Sequence, residues 1–335
     1  MEDLTPYLEN SNVLYRDDYL ENVLAGYTYD NKLAAIPNSF SVETMAGKSS
    51  DLGGTKGWTL EEVLAYAKEH PEAKLFYGAN ESSIMEFCMS SNMDLFLDWE
   101  SGEVRFDSEI FMELLEYLKS YQENVSSKPD DREPPERLQS GDCLLYPVSL
   151  HYFNDIQLYP AMFDQPVTYI GYPTADGSAN AVMRCDKLYG ISAASGNKEG
   201  AWVFIEHCLT EPVEWGFSPR RSQLEVQIEE AKEAAKNSSG ETLFDEGGNP
   251  LPAHGEKGVK FGFSGWEYTY HACTDEEIDQ VKELLEVAKP VKNSDNLVMA
   301  IIEEEVQAFY VGQKSAEDVA KIIQSRVQLY VDENR

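Results

Sequence analysis

The sequence predicts an α/β protein built as lobes. Amphipathic helical patterns take up more of the chain than strand-like runs, and the strand-like runs are short, apolar and set between helices. With 335 residues, the chain is also long enough for two hydrophobic cores. It shows no repeat of roughly 20–50 residues that would point to a solenoid or propeller.

Taken in order, the stretch YRDDYLENVLAGY at 15–27 reads as a short helix. KLAAIPNSFSVETMAGKSS at 32–50 reads as an extended crossing, because Pro37 and the alternating apolar positions disfavour a helix. GWTLEEVLAYAKEHP carries full helix punctuation. Thr59 and Glu62 form a capping box, Leu60, Val63, Leu64 and Ala67 form the stripe, and Pro71 stops it. Further helices are predicted at 81–98, 107–124 and 151–161, with SSKPDDREPPER as a polar, proline-rich loop and CLLYPVS as a buried strand.

From VTYIGYP to KLYGISAAS, two strand-like pieces flank a turn rich in Gly and Asn. NKEGAWVFIEHCLTEP is helical, with Ala201, Phe204, Ile205 and Cys208 as its expected inner face, and a charged helix is expected near 225–236. Gly240 to Gly265 has little periodicity. TDEEIDQVKELLEVAK opens on a second capping box, Thr274 to Glu277. Two closing helices follow, the last capped by Ser315 and striped by Val319, Ile322, Ile323, Val327 and Tyr330.

Charge excludes whole classes of partner. With 27 Lys plus Arg against 60 Asp plus Glu, the formal charge of −33 repels phosphate backbones and anionic lipid, so no nucleic-acid partner is expected. The densest basic point is SPRRS. The five cysteines are scattered, without a CxxC or a zinc-ligand pattern, so neither a disulfide scaffold nor a metal is indicated. No apolar run approaches the roughly 20 residues of a membrane-spanning helix. The acidic start MEDLTPYLEN lacks signal-peptide character and, taken alone, reads as cytoplasmic.

Local catalytic motifs are missing too. The chain has no G-x-S-x-G elbow, and no GxGxxG or GxxxxGK[ST] phosphate loop. Among so many acidic residues, close carboxylate pairs carry no information, and Glu303–Glu305 reads as a solvated helix face. Aromatic residues say more. Trp58, Trp99, Tyr152, Tyr172, Trp215, Trp266, Tyr268 and Tyr270 include several in or beside turn-like sequence, FGFSGWEYTY above all. Such rings either fill lobe cores or stand at a cleft edge and cover flat, partly apolar ligands such as sugar faces. His151 adjoins Tyr152, and Arg220 with Arg221 in WGFSPRRSQLE either bridges surface carboxylates or faces a ligand.

Four segments together resemble a known family: DLTPYLE at 3–9, DNKLAAIPNSFSVETMAGKSSDLGGTKGWTLEEV at 30–63, KLYGISAASGNKEGAWVFIEHCL at 187–209, and the tail IIEEEVQAFYVGQKSAEDVAKIIQSRVQLYVDE with its IQ-x-R-V-x-x-Y ending. They are similar to bacterial extracellular solute-binding proteins of ABC importers, of the maltose-binding-protein-like family 1 and the lipoprotein type common in gut Firmicutes. The resemblance implies a two-lobed, periplasmic-binding-protein-like type II fold that holds solute in an interlobe cleft and presents it to a membrane permease. It implies no catalysis and no cofactor.

On that basis, residues 1–45 are a remnant of the first lobe plus a crossing strand, and 46–168 are the second lobe. Residues 169–290 return to the first lobe with cleft-lining insertions, and 291–335 form a helical pair bracing the lobes. The resemblance places Tyr152 and His151 near ligand and, more loosely, Trp215 and Trp266. Tyr268, Trp99 and Arg220 complete the expected ligand-binding set, and a carbohydrate, as an oligosaccharide, is the leading ligand. Family members carry a lipobox cysteine and a longer first lobe ahead of the segment like DLTPYLE. The first lobe is therefore expected to be incomplete here, with an edge open to self-association, and the full-length protein to be an extracellular, membrane-anchored lipoprotein. Two other readings stay open: a glycan-active enzyme using a cleft carboxylate pair, and a truncated structural or interaction protein.

Overall fold

Two units divide the structure, a computed structural model that describes residues 1–123, 132–185, 187–260, 265–290 and 296–334. Unit one comprises Met1–Glu43, Val148–Ala161 and Ala181–Pro290. Unit two comprises Thr44–Pro147, Met162–Asn180 and Val291–Arg335. Each unit is assembled from three separate stretches of chain. Each also mixes helices with short paired strands, which is the α/β class the helical and apolar patterns predict.

In unit one, the strand Ala181–Arg184 pairs antiparallel with Ser41–Glu43 and parallel with Ala288–Pro290. Ile36–Pro37 pairs antiparallel with Leu188–Tyr189. A hairpin joins Thr28–Tyr29 to Lys32–Leu33 through Asp30 and Asn31, both at positive φ as a two-residue turn demands. Leu4, Leu8, Leu14, Leu24, Leu33 and Ile36 form a core with Trp202, Ile205 and Leu209 of the helix Lys198–Thr210. The inner face of that helix is therefore turned from the expected one. Ile205 is buried, but Trp202 and Leu209 replace Phe204, which is 62% exposed, because the larger Trp202 ring packs on Tyr7 at 5.6 Å.

The helix expected over 15–27 breaks into a 3-10 turn Arg16–Asp18 and a helix Glu21–Gly26. Tertiary pairing intervenes between them: Tyr19 bridges Arg220, and the Leu20 amide donates to the Pro219 carbonyl. The charged helix spans Arg221–Lys232, starting ahead of the expected 225. The capping box of Asp275–Val287 is formed as predicted by Thr274 and Glu277. The Ala181–Arg184 strand falls where the sequence reads as a turn. Its Val182 and Met183 are buried only because two other strands flank them.

In unit two, Lys74–Phe76 pairs parallel with Cys143–Leu145, and Ala46–Lys48 pairs antiparallel with Val167–Tyr169. The helix Leu60–Glu69 has both arms of its capping box and buries Leu60, Val63, Leu64 and Ala67, the predicted stripe. The helix predicted at 81–98 is two, Glu81–Met89 and Met93–Phe96, parted at the fully buried Asn92. The next helix runs Glu109–Tyr121. Of the proline-rich loop, 126–131 lie outside the described residues, and its end is already helix: Pro134 and Pro135 open Pro134–Ser140 at positions where a missing amide costs nothing.

The closing helices Asn296–Tyr310 and Ala316–Asn334 bury Val298, Ile302, Val306 and Phe309 together with Val319, Ile323, Val327 and Val331 in the unit-two core. Ser315 caps the second by accepting from the Asp318 amide at 3.1 Å. Arg326 pairs with both Glu304 and Glu305, so two of the three consecutive carboxylates hold the pair of helices together. Among the described residues, no helix is long and apolar enough to cross a membrane, and none of the five cysteines is in a disulfide.

Candidate functional site

One cavity in unit one starts where the strand Cys143–Leu150 ends. Residues 151–161, expected as one helix, form a 3-10 turn Phe153–Gln157 that runs into the helix Leu158–Phe163. The break has a local cause. The Asp155 carboxylate folds back to accept from the amides of His151 at 2.7 Å and Tyr152 at 2.9 Å, fixing the backbone of both. Phe153 is buried edge-on to Phe217, 5.3 Å between ring centres, which anchors the other side of the turn. Tyr152 remains 36% exposed.

Trp215 meets this turn from a second segment. Gly216 follows it with φ +84°, and a Cβ there would sit 2.7 Å from the Phe40 carbonyl oxygen, so only glycine fits. Phe217 then exchanges backbone hydrogen bonds with Phe40, at 2.7 and 3.1 Å. Gln227 braces the same stretch, donating to the Gly216 carbonyl at 2.9 Å and accepting from the Ser218 amide at 3.0 Å. The indole so presented is half exposed. It lies 4.5 Å from the His151 ring at a 46° tilt and 5.5 Å from Tyr152, edge-on at 85°. The Tyr152 hydroxyl donates to the Glu214 carbonyl at 3.4 Å.

Beside these rings lies a cavity of about 400 Å³, within the range of small-molecule sites. His151, Tyr152 and Asp155 line it from the turn, and Gln227 and Glu230 from the helix Arg221–Lys232. The stretch expected to have little periodicity contributes as well. Isolated bridges Ala234↔Pro252, Lys236↔Thr242 and Phe244↔Pro250 fold it into an arm that brings His254 and Glu256 to the cavity. Tyr270, buried, closes one wall.

Burial pushes the Asp155 carboxyl above its ordinary range, against the pull of the two amide donors. Burial also raises the Tyr152 phenol, with Asp155 and Glu256 adding to the effect. Behind the turn, Asn154 and Gln157 donate to the His271 carbonyl, and the His271 ring lies 3.0 Å from Glu277. Burial raises the Glu277 carboxyl, but hydrogen bonds from His271 and from Thr274 outweigh it and hold the group below its usual range.

Of the seven residues expected at the site, the structure brings His151, Tyr152 and Trp215 together. Trp266 stacks on Tyr268 at 6.5 Å, and Tyr268 meets Tyr270 edge-on at 5.7 Å, so these two lead away from the cavity wall behind Tyr270. Phe261–Ser264 of the same aromatic stretch lie outside the described residues. Arg220 caps the helix Arg221–Lys232 and its backbone bridges Tyr19; it does not line the cavity. Trp99 belongs to unit two and packs edge-on to Tyr330 at 5.9 Å. Sequence reading missed Asp155, Gln227, Glu230, His254 and Glu256. No local pattern marks them, apart from the position of Asp155 three residues after a turn aromatic. Among the described residues, no group of three or more His, Cys, Asp or Glu side chains is placed to hold a metal ion.

Comparison with known proteins identifies the fold. A family model described as bacterial extracellular solute-binding protein matches residues 1–214, more than half of the chain. A search of curated proteins finds no match. Among solved structures, the sugar-binding protein MalE from Xanthomonas citri is similar at a TM-score of 0.57 and 15% identity, over 100% of this chain and 80% of that one. A putative oligosaccharide periplasmic-binding protein from Synechococcus sp. in complex with zinc gives 0.54 at 15% identity, over 99% and 80%. An ABC substrate-binding protein from Listeria monocytogenes in complex with cycloalternan gives 0.52 at 15% identity, over 99% and 80%. At such identities the likeness is one of fold, the two-lobed periplasmic-binding-protein-like α/β class that the four resembling segments imply. With its first 214 residues matching the family model, this chain is a member of the bacterial extracellular solute-binding protein family.

Proposed function

We propose that the protein binds a carbohydrate, an oligosaccharide, reversibly at the unit-one cavity and delivers it to the permease of an ABC importer. The observation that carries this reading is the half-exposed Trp215 ring set against His151 and Tyr152, which themselves line a cavity that also holds carboxylate and amide side chains. A sugar ring offers an apolar face of C–H groups and a rim of hydroxyls. An indole face covers the first, while carboxylates and amides accept from or donate to the second. Similar folds whose names describe sugar, oligosaccharide or cycloalternan binding support the same ligand class.

Delivery requires that the solute leave unchanged, so binding without chemical conversion follows from the family role. The protein acts outside the cytoplasmic membrane, tethered as a lipoprotein. Titrating intrinsic tryptophan fluorescence with a panel of oligosaccharides tests the ligand class, and reducing-end analysis after long incubation tests the absence of conversion. A flat response to every glycan, with a response to an amino acid or peptide instead, would overturn the carbohydrate reading. New reducing ends would overturn the non-enzymatic one.

A further inference from the structure

Asp155, Glu214, Glu230 and Glu256 all line the unit-one cavity, and among the described residues no Lys or Arg does. Nearby carboxylates have side-chain partners: Glu233 lies 2.8 Å from the His254 ring, Asp275 pairs with Lys232 at 2.6 Å, and Glu277 lies 3.0 Å from the His271 ring. Among the described residues, no cation forms an ion pair with Glu214, Glu230 or Glu256. The nearby Lys257 ammonium is turned to the Pro252 carbonyl instead. Three acidic residues with no ion-pair partner among the described residues therefore line one small volume, and the Tyr152 and Tyr270 rings in its wall add faces that attract cations.

Resting on the carbohydrate reading, we infer that this cavity selects by charge. It favours a glycan carrying a free amine over its N-acetylated, neutral counterpart, and it rejects glycans carrying carboxylate, sulfate or phosphate. An anion entering would meet the field of these acidic residues with no Lys or Arg among the described lining residues to receive it, whereas an ammonium would be attracted by the same field. Because Glu214, Glu230 and Glu256 are solvent-exposed, salt screens their field, so the preference is an ionic-strength-dependent one.

Calorimetric titration of the full chain with three probe classes tests this. The neutral class is malto-, xylo- and N-acetylglucosamine oligomers, the cationic class glucosamine oligomers, and the anionic class oligogalacturonates. The expected result at low salt is that glucosamine oligomers bind at least about threefold more tightly than N-acetylglucosamine oligomers of equal length, a gap that closes at high salt. Oligogalacturonates are expected not to bind. In a Glu214→Gln, Glu230→Gln, Glu256→Gln triple variant that keeps its melting transition, the ratio of amine to N-acetyl affinity falls toward one. If the triple variant does not fold, Glu256→Gln alone lowers the same ratio. Equal affinity for amine and N-acetyl forms, or oligogalacturonate binding as tight as that of the best neutral glycan, overturns charge selection while leaving carbohydrate binding intact. No binding by any of the three classes overturns both.

Discussion

The rings of His151 and Trp215 sit 4.5 Å apart at a 46° tilt, brought together from segments more than sixty positions apart in sequence. The two rings are placed by different means. Asp155 fixes the backbone of His151 through its amide, and the Gly216–Phe40 contact fixes that of Trp215. The site is a product of two backbone devices meeting.

Truncating the indole separates binding from stability. Trp215→Ala should weaken glycan binding by about tenfold or more and abolish most of the ligand-induced fluorescence change. Because the side chain is 50% exposed, the melting temperature should hardly move. Titration and thermal melting on the same sample check both.

The residue after it acts through backbone geometry. Gly216→Ala should cost roughly 1–3 kcal/mol, since the new Cβ meets the Phe40 carbonyl oxygen at a positive φ. Binding should fall as well, because the shift moves Trp215. Denaturant unfolding of both alanine variants would show stability loss in Gly216→Ala and not in Trp215→Ala.

Glu277 makes stability depend on pH in a definite direction. Its carboxyl is held below the ordinary glutamate value of 4.5 by His271 and by Thr274, so the unfolded chain takes up protons before the folded one. Its contribution is full above about that value and is lost as pH falls through the lower, folded-state range. Glu277→Gln should cost about 1–2 kcal/mol at neutral pH, and the difference from the parent should shrink on acidification. Urea unfolding at a series of pH values between neutral and about 3 measures the convergence.

Adjacent positions on the helix Lys198–Thr210 should behave oppositely. Ile205→Ala, at a buried site, should destabilise by about 2–4 kcal/mol, whereas Phe204→Ala, at a 62% exposed one, should stay within about 0.5 kcal/mol. Chemical denaturation of the two variants decides which face of the helix is inside.

Where an element is specified within its own turn of chain, the sequence alone determines it. Thr59 with Glu62 and Thr274 with Glu277 satisfy helix amides locally, and the stripe Leu60, Val63, Leu64 and Ala67 needs only the 3.6-residue period to declare its face. The four family-like segments likewise carried the fold class, and it was the resemblance, not a local pattern, that marked Tyr152, His151 and, more loosely, Trp215 as candidate site residues. Tertiary structure decided the rest. Ala181–Arg184 is a strand because Ser41–Glu43 and Ala288–Pro290 lie on either side of it, and Tyr19 leaves a helical pattern to bridge Arg220. Glu230 and Glu256 face one cavity only because a helix and an arm of isolated bridges converge there. Hydrogen bonds over three or four residues leave a trace in local pattern. Contacts closed across a hundred residues depend on which surfaces finally meet, and no local period records that.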